Sequence, residues 1–371
     1  MTSDADRMMP STEPVMLLDP DGRPTAAGAL PPVEDLVRGY AGMVVARRFN
    51  EQASALVRQG RLAVYPSSSG QEACQVAAAH VLADGDWIFP TYRDTAAVVA
   101  RGVDPVETLV LLKGDWHSGY DPYDRHVAPL TTPLATQLPH AAGVAHAARL
   151  RGEPTVVLAL CGDGATSEGD FHEALNFAAV FRAPVVFLVQ NNRYAISVPL
   201  SRQTAAPSLA HKGVGYGVPG EQVDGNDLAA LLTVLSGAVA RARAGEGPQL
   251  VEAHTYRMQA HTNADDATRY RSDEEVAAWV ARDPLVRLEA YLRAEGALDD
   301  ARAATIAADA EDVARRTRDG INEDVEPDPE DLFRHVYSRP TPQLVEQLAM
   351  VRDELARDAL AAAPTRQEAG R

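Results

Sequence analysis

One stretch of the chain, residues 154–192, restricts the possible folds more than any other. It opens with the short apolar run PTVVLAL at 154–160, which is typical of a strand buried on both faces. A glycine-rich turn leads into FHEALNFAAVFR at 171–182, which has the pattern of a helix, and a second buried strand follows at 183–192. This order predicts a parallel pair joined by a crossover helix, and therefore an α/β fold with a mostly parallel sheet flanked by helices.

Glycines and polar residues stand where both of these strands end. Gly162, Asp163 and Gly164 follow the first strand, and Asn191 and Asn192 end the second. Since the carboxyl ends of parallel strands share one edge of the sheet, where such folds bind ligands, we expect the two groups to lie together. The glycines let the backbone turn tightly and approach a phosphate, and the start of the following helix attracts an anion.

Asp163 and Asn192 are candidate ligands of a magnesium ion. A carboxylate oxygen, a carboxamide oxygen, a nearby backbone carbonyl and two diphosphate oxygens would make five ligands, and water would complete the octahedron that Mg²⁺ prefers. The sequence therefore predicts a metal-bridged diphosphate at this edge of the sheet.

The chain divides into three predicted regions. Residues 1–30 are rich in proline and predict an arm that is extended or disordered, and residues 31–272 predict the α/β domain. Residues 273–371 are charged and predict a helical C-terminal region with a frayed tail. Within the second region, residues 113–140 show no period and predict a long loop. The apolar spacing there also predicts helices at 33–60, 71–82 and 227–245 and a strand at 249–257.

Composition excludes several classes of function. The net charge is −17 and the pI is about 5.0, which argues against nucleic acid as a main partner because phosphate neutralisation needs basic residues. Two cysteines, Cys74 and Cys161, form neither a zinc motif nor a disulfide framework. The polar N-terminus has no apolar signal core and no run of eighteen apolar residues occurs, so we expect a cytoplasmic protein with no membrane span.

Seven motifs follow one another along the chain in the order of one known family. They are SSSGQEA (67–73), FPTYRD (89–94), TPLATQLPHAAG (132–143), GDGATSEGDFHEALNFAA (162–179), QNNRYAIS (190–197), QVDGND (222–227) and HTNADDATRYRS (261–272). Over residues 33–345 they resemble the alpha subunit of the decarboxylating component of 2-oxoacid dehydrogenase complexes, most of all the bacterial branched-chain type. The resemblance implies a transketolase-like thiamine diphosphate-binding fold, in which GDG and NN form the cofactor motif.

The resemblance also implies roles for individual residues. Asp163, Asn192 and the backbone carbonyl of Tyr194 would bind Mg²⁺. Backbone N–H groups of Gly164 and Ala165 would hold the diphosphate. Tyr92 and Arg93 would reach the same oxygens, and Thr132 and Leu134 would face the aminopyrimidine. The full implied set for thiamine diphosphate is Tyr92, Arg93, Thr132, Leu134, Gly162, Asp163, Gly164, Ala165, Asn192 and His261, and the implied metal ligands are Asp163, Asn192 and Tyr194.

Two histidines are candidate catalytic residues by the same resemblance. His261 would face the reacting end of the cofactor, and His261 and His117 would position a lipoyl group and donate protons. His140 and His146 lie on an alanine-rich helix and are interpreted as structural. In mitochondrial relatives a phosphorylated serine follows the histidine, whereas this chain has Thr262, so kinase regulation is not expected there. Those relatives also have an arginine before NN, whereas this chain has Gln190.

The chain is too short to hold the whole active site. In the family, a glutamate from a second α/β domain activates the cofactor, and this chain has no room for such a domain. The resemblance therefore implies a beta subunit, an α2β2 heterotetramer with cofactor at the α/β interfaces, a small 2-oxoacid substrate and a lipoyl-bearing acyltransferase partner. The implied reaction is oxidative decarboxylation of the 2-oxoacid with reductive acylation of the lipoyl group.

Other functions stay open at this point. A pyruvate-using or acetoin-cleaving alpha subunit would have similar motifs. A nucleotide-binding oxidoreductase would share the strand–glycine–helix unit, but GDGATSEG is not G-x-G-x-x-G and asparagines, not an acidic residue, end the second strand. A non-catalytic binding module would leave Asp163 and Asn192 without a role.

Overall fold

A computed structural model describes residues 8–114, 119–323 and 328–362 of the chain. It forms two compact units, Met1–Asn322 and Glu323–Arg371. The described α-helices are α1 Val33–Arg58, α2 Glu72–His80, α3 Thr95–Ala100, α4 Pro105–Lys113, α5 Pro122–Arg125, α6 Gln137–Arg151, α7 Gly169–Phe181, α8 Leu228–Arg243, α9 Asp273–Val280, α10 Pro284–Ala294, α11 Asp300–Asn322, α12 Asp331–Arg334 and α13 Pro342–Ala362.

The centre of the first unit is a five-stranded parallel sheet of order β1-β2-β3-β7-β6. Its strands, together with a small antiparallel pair β4-β5 beside it, are β1 Trp87–Phe89, β2 Val157–Gly162, β3 Val185–Asn191, β4 Tyr194–Ala195, β5 Val198–Pro199, β6 Gly220–Asp224 and β7 Gln249–His254. The predicted β–α–β unit is confirmed, with α7 as the crossover helix between β2 and β3. Strands β1 and β6 were not predicted, because neither forms a long apolar run.

Helices cover both faces of the sheet, which explains why the strands are apolar throughout. Alternate side chains of β2 and β3 enter two separate cores. Leu158 and Leu160 pack with residues of α1, α2 and α8, whereas Val157 and Ala159 pack with residues of α6 and α7. The α/β class that the strand pattern predicts is therefore the observed architecture.

The described part of the N-terminal arm consists of turns, bends and isolated bridges and adds to the edge of the sheet. Val15 pairs in parallel with Val223 of β6, and Leu17 and Leu18 are buried in the core. The Asp227 carboxylate accepts hydrogen bonds from the backbone N–H groups of Leu17 and Leu18, at 2.6 and 2.7 Å. The same carboxylate caps α8 through Ala229 and Ala230. One buried side chain thus joins the arm to a helix start.

Residues 113–140 differ from the predicted structureless loop. The short helix α5 lies inside this range, and α6 begins at Gln137, before its end. Pro139 falls in the first turn of α6, where a proline costs little because the N–H groups there have no partner within the helix. Gly and Pro content alone therefore made the predicted loop too long.

The chain is helical after residue 273 wherever it is described. Helices α9, α10 and α11 belong to the first compact unit, and α11 packs against α1 with Ile306, Ala310 and Ala314 buried at helical spacing. Helices α12 and α13 belong to the second unit. None of the helices in the described ranges is both long and apolar enough to cross a membrane.

Replacing Asp227 with alanine is expected to lower the free energy of unfolding by about 2–4 kcal/mol, because four buried backbone N–H groups would lose their acceptor. Urea denaturation followed by circular dichroism measures this loss. The matched control is Asp104→Ala, which removes an exposed cap of α4 that accepts from Val106 alone and should cost about 1 kcal/mol. Equal losses in the two variants would contradict the role assigned to Asp227.

Candidate functional site

The carboxyl ends of β2 and β3 bring the predicted metal ligands together. Gly162 lies beside Gln190 in the parallel register, so the residues just beyond them emerge at one edge of the sheet. Asp163 follows β2 and Asn192 follows β3. The Oδ1 atom of Asn192 lies 3.2 Å from Oδ1 of Asp163 and 3.1 Å from the backbone carbonyl oxygen of Tyr194. Asn192 Oδ1 therefore faces two other acceptor oxygens and shares a hydrogen with neither of them.

This cluster fits a magnesium ion. Octahedral Mg²⁺ with oxygens at about 2.0–2.1 Å places neighbouring ligand oxygens about 3 Å apart. The two separations from Asn192 Oδ1 are close to that value, and mutually repelling acceptors at such distances are stabilised by a cation. A carboxylate, a carboxamide and a backbone carbonyl are also the hard oxygen donors that Mg²⁺ selects.

Asp163 is almost fully buried, and this burial raises the pKa of its carboxyl group. The strongest opposing effect is a hydrogen bond of 2.6 Å from the Gln203 amide to Oδ2. A divalent cation at Oδ1 would favour the ionised form and remove the cost of burying the charge. The local electrostatics therefore also favour a cation at this position.

The turn after β2 is a short 3-10 helix, Gly164–Ser167, and not the direct start of α7. A Cβ atom on Gly164 would lie 2.7 Å from Cβ of Ala195, so close packing requires glycine there. At Gly162 a Cβ would meet nothing within 4 Å. Neither glycine has a positive φ, so the tight turn after β2 does not depend on the left-handed conformations that glycine allows. Their absent side chains instead leave room for Ala195 and for a ligand.

A cavity of about 490 Å³ lies above this edge of the sheet. Of the residues predicted to bind the cofactor and metal, those that line the cavity are Tyr92, Arg93, Leu134, Gly162, Asp163, Gly164, Ala165, Asn192, Tyr194 and His261. Thr132 is exposed and does not line the cavity, although its neighbours Thr131 and Pro133 do. His117 lies outside the described residues. His140 and His146 lie on α6, where His146 stacks on Phe181 at 4.4 Å between ring centroids.

Two buried arginines also line the cavity. Arg93 and Arg257 are 5% and 1% exposed, and neither forms an ion pair with a carboxylate of the described residues, which is rare for charged side chains buried this deeply. Burial lowers the pKa of Arg257, and the charge of Arg93 lowers it further. An anion in the cavity would offset both effects. A diphosphate fits this requirement, because guanidinium groups bind phosphate oxygens through charge-assisted hydrogen bonds.

These arginines determine which ring nitrogen of His261 carries its proton. Arg93 Nη2 lies 3.1 Å from His261 Nδ1, and Arg257 Nη1 lies 3.2 Å from the same atom. A guanidinium group can only donate, so Nδ1 accepts and the hydrogen resides on Nε2. Burial, followed by the charges of Arg93 and Arg257, lowers the pKa of His261 from 6.5 to about 4. His261 is therefore a neutral imidazole with a donating Nε2–H at neutral pH.

The segment after His261 is ordered by side-chain contacts. The Asp265 carboxylate accepts from the His261 N–H at 2.7 Å, and the Tyr270 hydroxyl donates to the same carboxylate oxygen. Arg257 donates to the Tyr270 hydroxyl at 2.8 Å, and Arg271 donates to the Met258 carbonyl at 2.9 Å. The contacts that order this segment thus come from Arg257, Asp265, Tyr270 and Arg271.

Three residues near the cavity hold left-handed backbone conformations that sequence patterns did not indicate. They are Ala135, Arg193 and Ile196, with φ of 64°, 77° and 56°. Such values are uncommon for residues with a side chain and are an outlier for the β-branched Ile196. Ala135 follows Leu134, and Arg193 and Ile196 lie on either side of Tyr194 in the chain. Strained backbone of this kind clusters at functional sites.

Several polar residues that line the cavity were not predicted as site residues, among them Gln71, Gln190, Gln203 and Arg257. Gln71 lies inside the SSSGQEA motif and Gln190 directly precedes the asparagine pair, so both positions carried a signal. Gln203 lies after the small β4-β5 hairpin, and only tertiary packing brings its amide to Asp163. The position of these side chains at the cavity depends on tertiary contacts that no local sequence pattern indicates.

Comparisons with known proteins agree with this geometry. Residues 40–329 match the family described as dehydrogenase E1 component. The chain is 48% identical to the 3-methyl-2-oxobutanoate dehydrogenase subunit alpha of Mycobacterium tuberculosis, covering 93% of this chain and 95% of that protein. It is 41% and 40% identical to the pyruvate dehydrogenase E1 component subunit alpha of Staphylococcus aureus and Staphylococcus epidermidis, covering 76% of this chain and 78% of each relative.

Histidine-selective ¹⁵N NMR is expected to show His261 as the Nε2–H tautomer, neutral at pH 7 and charged only near pH 4. Arg257→Gln should raise its pKa toward 6.5, because one of the two repelling charges is removed. The control Arg316→Gln changes an exposed arginine of α11 and should leave the titration unchanged. An Nδ1–H tautomer, or a pKa that does not respond to Arg257→Gln, would contradict this assignment.

Proposed function

Because the chain belongs to the dehydrogenase E1 component family, we propose that it is the alpha subunit of a branched-chain 2-oxoacid dehydrogenase. The proposed reaction is oxidative decarboxylation of 3-methyl-2-oxobutanoate and related 2-oxoacids with reductive acylation of a lipoyl group. The observation that carries the chemistry is the group of three converging oxygens below two buried arginines in one cavity. The substrate follows the relative with 48% identity, which covers more of the chain than the pyruvate relatives do.

The family depends on thiamine diphosphate, and we propose that Mg²⁺ joins the diphosphate to this chain. Asp163, Asn192 and the Tyr194 carbonyl would hold the metal, because their oxygens already converge. Arg93 and Arg257 would neutralise the diphosphate, and the glycines of the turn would let it approach the backbone. When bound, the cofactor supplies an electron-accepting thiazolium group that stabilises the charge left by CO2 release.

His261 is proposed to act as a hydrogen-bond donor in the cavity, and not as the proton donor that the resemblance suggested. Its Nδ1 is occupied by two arginines, and its low pKa of about 4 keeps the ring neutral at pH 7. A neutral imidazole surrenders its remaining proton with great difficulty, whereas its Nε2–H can orient or stabilise an oxygen that gains charge. The arginine pair thereby determines the role of the histidine.

A beta subunit is proposed to complete the site. Three apolar residues at the cavity rim, Leu134, Ile196 and Val198, are 44%, 55% and 42% exposed, and a protein surface covering them would exclude water from the cavity. The named relatives are themselves alpha subunits. We therefore propose an α2β2 assembly in the cytoplasm, with a lipoyl-bearing acyltransferase as the further partner.

A pyruvate dehydrogenase alpha subunit is the second candidate, because the two staphylococcal relatives carry that function. An acetoin-cleaving enzyme has no such support among the named relatives. A nucleotide-binding oxidoreductase does not explain three converging oxygens, and a non-catalytic module does not explain buried arginines at the same cavity.

Steady-state kinetics of the reconstituted enzyme tests the substrate. With a beta subunit, Mg²⁺ and thiamine diphosphate, kcat/KM for 3-methyl-2-oxobutanoate should exceed that for pyruvate by about tenfold or more, since added methyl groups in a fitted pocket contribute this much. The chain without its partner should show little turnover. A preference for pyruvate would support the second candidate, and turnover by the chain alone would contradict the shared site.

Asp163→Asn should weaken binding of Mg²⁺ with thiamine diphosphate by at least about 100-fold, because loss of an outer-shell partner of a metal already costs 10–100-fold and Asp163 is proposed as a direct ligand. Calorimetric titration of the reconstituted complex measures the affinity. The control Asp300→Asn removes the charge of a side chain that is 96% exposed, and should bind as the wild type does. Unchanged affinity in Asp163→Asn would overturn the metal assignment.

A further inference from the structure

A chain of buried hydrogen bonds leads from α3 to the candidate metal ligand Asn192. The Gln190 amide donates to Asp94 Oδ1 at 2.7 Å, the Gln71 amide donates to Gln190 Oε1 at 3.0 Å, and the Asn192 amide donates to Gln71 Oε1 at 3.0 Å. We call these four residues, Asp94, Gln190, Gln71 and Asn192, the amide relay. None of them is more than 6% exposed, so water does not compete for their hydrogen bonds.

Backbone groups fix the direction of the relay. As a carboxylate, Asp94 accepts at both oxygens, from the Thr91 N–H at Oδ2 (2.8 Å) and from the Gln190 amide at Oδ1 (2.7 Å), so that end of the relay is an acceptor. In the middle of the relay, the NH₂ group of Gln75 donates to the Arg93 backbone carbonyl at 3.2 Å. The same NH₂ group lies 3.5 Å from Gln190 Oε1 and therefore faces that atom as a donor. A backbone N–H can only donate and a backbone carbonyl can only accept, so the direction of these two contacts is determined by the backbone.

The metal end of the relay has its own backbone constraint. The Tyr194 N–H lies 3.3 Å from Asn192 Oδ1 and donates to it. If the Asn192 amide alone were reversed, its oxygen would face Gln71 Oε1 at 3.0 Å and its NH₂ would face the Tyr194 N–H. Reversal of the whole relay would set the Gln190 oxygen against the Asp94 carboxylate. The observed direction is therefore the one in which every contact between members of the relay has a donor and an acceptor.

The immediate surroundings of Asn192 favour the opposite orientation. Reversal would let its NH₂ donate to Asp163 Oδ1 at 3.2 Å and to the Tyr194 carbonyl at 3.1 Å. An Asn192 side chain without the relay would gain these two bonds and present NH₂, which cannot bind a cation. The relay offsets that preference and keeps the carbonyl oxygen beside Asp163.

We propose that the amide relay holds Asn192 with its oxygen toward the metal, and that Gln71 and Gln190 are positioning residues for cation binding. This inference rests on the proposed function and concerns the same metal. It also gives Gln190 a role of its own at the position where mitochondrial relatives have an arginine. Gln190 contributes no charge to the diphosphate, and it transmits a hydrogen-bond direction that begins at Asp94.

Binding of Mn²⁺ in place of Mg²⁺ tests the relay without measuring activity. The full-length chain, reconstituted with its beta subunit and thiamine diphosphate, is titrated with Mn²⁺ while electron paramagnetic resonance counts the free ion. Gln71→Met and Gln190→Met keep side-chain length but remove the hydrogen bonds, and each should weaken Mn²⁺ binding by about tenfold, as expected for a ligand that must reorient against its own hydrogen bonds. Circular dichroism without metal checks that each variant is folded.

The matched control is Gln249→Met, the same substitution at a buried glutamine at the opposite end of the sheet, where β7 begins. It should bind Mn²⁺ as the wild type does. Equal affinity of the control and of both relay variants would overturn the inference while the wild type still binds Mn²⁺ and the proposed function stands. Failure of the wild type to bind Mn²⁺ would overturn the proposed function, and the inference with it.

A second substitution separates orientation from general damage. Asn192→Asp replaces the amide with a carboxylate, which presents an oxygen to the metal in either orientation. In that background, adding Gln71→Met should change Mn²⁺ affinity by less than about twofold, because there is no amide left to orient. A loss as large as the one that Gln71→Met causes in the wild type would overturn the orienting role.

Discussion

The in-register pairing of β2 with β3 is the contact on which the rest of the site depends. Parallel hydrogen bonding places Gly162 beside Gln190, and this register determines which residues follow the two strands at the same edge of the sheet. A slip of one residue would exchange the two faces of each strand and move apolar side chains out of their cores. The packing of both faces therefore maintains the separation of Asp163 and Asn192, although neither residue takes part in that packing.

Opposite charges are buried at the same cavity but are not paired with each other directly. Burial raises the pKa of Asp163 and lowers the pKa of Arg257, so both groups lose stability as ions in the protein alone. The proposed metal and diphosphate would supply the missing positive charge to Asp163 and the missing negative charge to Arg257. The charges that line the cavity are thus complementary to those of the proposed cofactor and metal. The charges of Arg93 and Arg257 also lower the pKa of His261 and keep it neutral.

The side-chain amides of this site determine the orientation of neighbouring groups and contribute no charge. A carboxylate has equivalent oxygens, but a carboxamide has two unlike ends, and its direction depends on its neighbours. In the amide relay that direction starts at the Thr91 N–H, just before α3, and ends at the proposed metal ligand Asn192, through Asp94, Gln190 and Gln71. Arg93 and Arg257 provide buried positive charge at the cavity, so the uncharged Gln190 is compatible with the proposed binding of a diphosphate.

The sequence by itself determined the α/β class, the β–α–β unit and the placement of Asp163 and Asn192 at strand ends, because apolar runs and strand–helix order are local properties. It did not determine the short strands β1 and β6, the start of α6 at Gln137, or the reason for glycine at position 164. Only the tertiary structure placed Arg257 and Gln203 at the cavity, selected the Nδ1 atom of His261 as an acceptor and gave the Asn192 amide its direction. These features depend on donors and acceptors that are distant in the chain, and hydrogen-bond direction is a property of such contacts and of no single residue.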